Sequence, residues 1–109
     1  MELSKKDKKK AREIIESGLQ QEFVKALNDV DAILTGWKNK SKSNRDAYHL
    51  LYKHITDFDN HIARRYDRIS GSKYLFIIAA QLRDGVISEN DLSDLSNEVQ
   101  QAIKVIADI

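Results

Sequence analysis

Apolar residues recur along this chain almost everywhere at helical spacing. Phe23, Leu27, Val30, Leu34 and Trp37 step 4, 3, 4, 3, and Ile15 and Leu19 carry the line upstream. That is a heptad seam. Ser4 can cap its start, with Asp7 three residues on, and Gly36 suits the left-handed position just past a helix end. The pattern predicts a long first helix over 4–35. Gly18 costs roughly 1 kcal/mol in a helix interior, so it marks a kink or a close helix contact, unless the helix begins only after it. After the polar link KNKSKSN, Tyr48, Leu51, Ile55, Phe58, Ile62 and Tyr66 share one face. A second helix is expected over 44–68, capped by Ser43 or Asn44 and closed by Ile69-Ser70-Gly71.

The run YLFIIAAQLRDG (74–85) is the most apolar in the chain. Its first half is β-prone, but Ala79 to Arg83 prefers helix and no second strand candidate exists to pair with it. A third helix over 73–84 follows, with Ser72 as its cap and Gly85 as its stop. A fourth is expected over 89–107, starting at Ser88 with Asp91 as an acidic capping box. Leu92, Leu95, Val99, Ala102 or Ile103, and Ile106 keep the helical period. The fold class is therefore all-α: four helices in one domain, 1–109, with helix 3 at the centre and the others around it.

The 109 residues carry a net charge of +1, which announces neither nucleic acid nor membrane. There is no cysteine, hence no disulfide framework or thiol nucleophile. No apolar region follows the basic start MELSKKDKKKAR, as a secretory signal would require. The run at 74–82 is about half the roughly 20 apolar residues that a membrane crossing needs. A soluble, cytoplasmic protein with no membrane association is expected. The absence of proline favours long unbroken helices.

A helix of about 31 residues is roughly 47 Å long, whereas a compact domain of this length is about 35 Å across. Its apolar stripe continues into the overhang. Each Leu, Ile or Phe buried there is worth about 1.5–3 kcal/mol, a pressure to associate. A coiled-coil-like or bundle-like homodimer is expected, built on Leu19, Phe23, Leu27, Val30, Leu34 and Trp37 of helix 1. Leu51 and Ile55 of helix 2 assist. The competing expectation is a shorter or bent helix 1 folded on its own core.

Three constellations could carry chemistry. His54, Asp57 and His61 lie on one side of helix 2, but the histidines are about 10.5 Å apart along it, so a solvated face is expected rather than a metal site. RDGVISENDL resembles half a calcium loop, yet the first ligand positions would be Ala80 and Leu82, which offer no oxygen. No nucleophile–base pair appears, and no carboxylate sits in an apolar run. The chain reads as a non-enzyme with no catalytic residue. Basic groups open the chain (Lys5 to Arg12), fill the first link (Lys38, Lys40, Lys42, Arg45) and flank the second (Arg64, Arg65, Arg68, Lys73). They keep a small nucleic-acid-associated protein as the alternative function.

Arg65-Tyr66-Asp67, Arg68, the Ala80-Gln81-Leu82 helix end and Gly85-Val86-Ile87 form a recognisable set in the second half, and ESGLQQEFVKAL (16–27) extends it upstream through Gln20 and Glu22. On these residues the chain resembles the cyanobacterial fluorescence recovery protein family. The resemblance implies a helical protein that dimerises through long helices, uses no cofactor and breaks no covalent bond. It implies an activity too: binding the photoactivated orange carotenoid protein and speeding its return to the resting state. The family's patch on its second helix is a tryptophan, a His-Asp pair and an arginine. Here the corresponding places hold His49 or Tyr48, Tyr52-Lys53 and Asp59. None keeps the family residue, which points to a homologue with another protein partner. The surface expected to hold it comprises Tyr48, His49, Tyr52, Lys53 and Arg64, with Arg65 and Arg68 at its end.

Overall fold

Ser4 does cap the first helix: its hydroxyl accepts the Asp7 backbone N–H at 3.1 Å. From there α1 (Lys5–Lys38) runs unbroken for 34 residues, about 51 Å at 1.5 Å per residue. This is a computed structural model, and it describes residues 2–109. The other helices are α2 (Asn44–Tyr66), α3 (Tyr74–Arg83) and α4 (Asn97–Ala107), with 3-10 turns at Gly71–Lys73 and Glu89–Leu92. No strand occurs among the described residues, so the fold is all-α with four helices.

Several boundaries differ from the sequence reading. Gly36 does not end α1. The helix continues to Lys38, and Lys40 takes the left-handed conformation at φ 65°. Helix α2 stops at Tyr66, because Asp67 is extended and Arg68 turns left-handed at φ 55°. Ser72 does not cap α3: the 3-10 turn over Gly71–Lys73 leads into it, with no side-chain cap bond. At the other end Gly85, at φ 73°, closes α3 with Gly85 N–H on Leu82 O and Val86 N–H on Gln81 O. That paired closure is the Schellman arrangement, and it favours the glycine.

The expected helix 4 over 89–107 is broken in two. Ser88 and Asp91 form the anticipated capping box, but it starts only a 3-10 turn. Ser96 is then extended (φ −61°, ψ 153°), and its N–H and hydroxyl both donate to the Asp7 carboxylate, at 3.0 and 2.8 Å. A partner 89 residues away in sequence takes the donors that a continuous helix would have used.

The contacts group into two compact units. The first runs to Gln21 and resumes over Arg68–Ile109; the second is Glu22–Asp67. In the first, Leu3, Ala11, Ile15, Ile77, Ile78, Leu92, Leu95, Val99 and Ile103 are buried, and α3 packs against α4. Helix α3 is not enclosed on every side, as the sequence reading had it: Phe76 is 63% exposed. Gly18 marks close contact rather than a kink. A Cβ there would lie 2.7 Å from the Gln81 side-chain carbon, and the fully buried Gln81 amide donates to Ile15 O at 3.0 Å.

The second unit is a helical hairpin of the α1 end and α2. Ser43 caps α2, accepting Asp46 N–H at 3.1 Å, and Trp37 Nε1 donates to Asn44 Oδ1 at 2.7 Å across the turn. None of the described helices is long and apolar enough to cross a membrane.

Candidate functional site

The chemistry-bearing residues of the hairpin unit sort onto two sides of α2. Ala47, Leu51, His54, Phe58, His61 and Arg65 step 4, 3, 4, 3, 4, the spacing of a packed helical seam. Four of them reach α1. Phe58 meets Phe23 edge to face with ring centroids 5.6 Å apart, and His61 Nε2 lies 2.6 Å from Glu22 Oε1. Arg65 donates to the same oxygen at 3.1 Å, and Tyr66 gives its hydroxyl to Oε2 of that carboxylate. His54 Nε2 stands 3.8 Å from the Asp29 carboxylate, an ion-pair distance too long for a hydrogen bond.

This corrects the reading of His54, Asp57 and His61 as a solvated face. The two histidines are half-buried and face separate carboxylates, with a hydrogen bond only at His61, while Asp57 is exposed and paired with Lys53 at 2.6 Å. No carboxylate sits in an apolar run of the sequence, yet the fold withdraws one from water. Glu22 is 8% exposed, and burying a carboxylate is tolerable only with partners such as these three. The sequence signal was present but unread: Glu22 and Asp29 are seven residues apart, as are His54 and His61.

Other side chains of the hairpin are apolar and exposed. Tyr48 and Tyr52 of α2 are 74% and 66% exposed, and Leu27 of α1 is 68% exposed. Phe23, Leu34, Trp37 and Ile55 also have more than a third of their surface in solvent, whereas Leu19, Val30 and Leu51 are half-buried. Of the residues expected to hold a partner, Tyr48, His49, Tyr52, Lys53, Arg64 and Arg68 are exposed. Arg65 is the exception. Its side chain is 12% exposed and turned inward to Glu22, so it serves the hairpin rather than the surface.

No family model matches the chain, and no curated protein matches it either. Among solved structures, that of the Fluorescence Recovery Protein from Synechocystis sp PCC 6803 matches with a TM-score of 0.80 and 22% identity, covering 97% of this chain and 98% of that one. The fold is that of the Fluorescence Recovery Protein. An arginine-to-lysine mutant of the Synechocystis protein matches with the same figures. The likeness runs the length of both chains, so it takes in the hairpin unit as well as the other helices.

Proposed function

We propose that this chain is a non-enzymatic, protein-binding regulator of the Fluorescence Recovery Protein type, working as a homodimer. The observation that carries the reading is the full-length fold match at TM-score 0.80. The exposed aromatic and apolar side chains of the hairpin support it, because several large apolar side chains left in solvent on one unit suit a protein interface. Leu27, Phe23, Leu34 and Trp37 on α1, with Ile55 on α2, are the side chains we assign to pairing with a second copy. Each is worth about 1.5–3 kcal/mol when fully covered. The dimer interface also takes in the half-buried Leu19, Val30 and Leu51.

The partner surface comprises Tyr48, His49, Tyr52, Lys53, Arg64 and Arg68, with Tyr48 and Tyr52 as its anchors. Tyrosine suits such a role because it gives large contact area at low entropic cost and keeps a hydroxyl for hydrogen bonding. A regulator of this kind shifts a partner between conformers by binding one of them more tightly. No bond is made or broken and no cofactor is used.

The orange carotenoid protein in its photoactivated red form is the partner to test first, since the fluorescence recovery protein resemblance implies it. Timing the red-to-orange return in the dark, with and without stoichiometric protein, decides the matter. Acceleration that Tyr52→Ala abolishes assigns the activity to this face. An unchanged return, with the chain folded and dimeric, withdraws this partner.

A further inference from the structure

The hairpin carries a second charged feature, at its tip. Between Lys38 and Arg45 the chain has four cations (Lys38, Lys40, Lys42, Arg45) and no acid. None of the four makes an ion pair among the described residues. Their backbone is nevertheless held. Gly36 O accepts Ser41 N–H at 2.9 Å, Lys42 N–H at 3.2 Å and the Ser41 hydroxyl at 3.0 Å. Asn39 Oδ1 accepts Ser41 N–H at 3.1 Å. Four like charges on a fixed turn repel one another, a cost that an anionic ligand relieves. A preordered turn also binds with less entropic loss than a mobile one.

Beside this turn lies a hollow of about 530 Å³, lined by Ser41, Lys42, Arg45, Asp46, His49 and Leu50. It is shallow and open to solvent. Leu50 is 42% exposed, so an apolar floor adjoins the cations. We propose that the tip binds a short acidic segment of a protein. Carboxylates of that segment meet Lys42 and Arg45, and one apolar side chain lies against Leu50. Arg45 supplies a planar fork matched to a carboxylate, and Lys42 supplies a point charge.

The same features argue against a nucleic-acid track. Asp46 stands in the lining, and Asp57 and Asp59 are exposed farther along α2, which interrupts any run of positive surface on that helix. A phosphate backbone needs an extended basic stripe, whereas an acidic peptide needs only a compact one. The inference does not rest on the regulator reading, since apart from His49 the hollow lies outside the surface assigned above and the test uses no carotenoid protein.

The test is fluorescence polarisation with a labelled peptide of four glutamates flanking a central leucine, and the same peptide with serine for leucine. A random 20-base-pair duplex serves as competitor. The double variant Lys42→Glu/Arg45→Glu is compared with Lys5→Glu/Lys9→Glu, which changes net charge equally in the other unit, and circular dichroism checks that both stay helical. We expect the leucine peptide to bind wild type and the Lys5/Lys9 variant alike, at least tenfold more weakly to the tip variant, and about fivefold more weakly with serine. Raising salt from 50 to 300 mM weakens it further. No binding to wild type, equal loss in both variants, or duplex that outcompetes the peptide overturns the proposal. Equal affinity for the serine peptide overturns the role of Leu50.

Discussion

The two compact units are made from the same kinds of helix, yet they treat their apolar residues in opposite ways. The unit containing α3 and α4 encloses them: Ile78, Leu92 and Ile103 are fully buried, and its buried polar groups, Asp7 and Gln81, each bond to a distant part of the chain. The hairpin unit does the reverse. Glu22 is buried and bonded to His61, Arg65 and Tyr66, while Leu27, Tyr48, Tyr52 and Ile55 stay largely in water. Polar pairs and the Phe23–Phe58 contact close the hairpin, and several apolar groups remain exposed. One buried carboxylate with three partners joins the two helices of the hairpin, whereas an apolar core joins those of the other unit.

The sharpest way to break this contrast is to remove apolar volume from the enclosed unit. Ile103→Ala should cost about 3–4 kcal/mol, measured as a lowered urea midpoint, because a fully buried methyl-rich side chain leaves a cavity. A loss under 1 kcal/mol would mean that this core is loosely packed. Next comes the hairpin's polar closure. Glu22→Ala leaves His61, Arg65 and Tyr66 without their shared carboxylate and should cost about 2–3 kcal/mol. Arg65 is mostly buried but His61 is a third exposed, so water reclaims part of the loss. Hydrogen exchange should show it first in α2; protection lost only in α3 and α4 would contradict the assignment.

Smaller effects sharpen the picture. Asp7→Ala removes both bonds to Ser96 and should cost about 1–2 kcal/mol, with fraying at the start of α4. The pH dependence carries a matching sign. The Ser96 backbone N–H, aided by the Ser96 and Ser4 hydroxyls and by Lys6, holds the Asp7 carboxyl below its ordinary value of 3.8, against the opposing effect of burial. Asp7 therefore contributes stability fully above that value and loses it as pH falls through its lowered one. Acid unfolding of Asp7→Ala should accordingly be flatter below pH 4. Last, Leu27→Glu should change the stability of the isolated chain by less than about 0.5 kcal/mol, since the residue is two-thirds exposed. On the proposed homodimer it should still shift light-scattering mass from dimer to monomer. An unaltered mass would move the pairing face elsewhere.

How far the sequence could be read depended on the range of the interaction. Ser4, Ser43 and the Ser88–Asp91 box are local caps, and each was visible as a residue type at a fixed offset. The split of the fourth helix was not, because nothing near Ser96 announces that Asp7 will bind its N–H and hydroxyl. The candidate surface was legible in its exposed members, Tyr48, His49, Tyr52 and Lys53, since polar and aromatic positions can be placed on a wheel. Arg65 was misplaced for the same reason that Glu22 was missed. A cation and an anion 43 residues apart show no periodicity until the hairpin turn brings them together.

The sequence alone determined the all-helical class and the presence of an apolar stripe along the first helix, because backbone propensity and 3.6-residue spacing are local properties; that this helix runs unbroken through Gly18 came only from the structure. Tertiary structure alone decided which stripe of α2 would face α1, that buried Glu22 would be the centre of that contact, and that Gly18 would admit the Gln81 amide. Those choices turn on which distant groups can desolvate together at acceptable cost, and that balance exists only once the chain has folded.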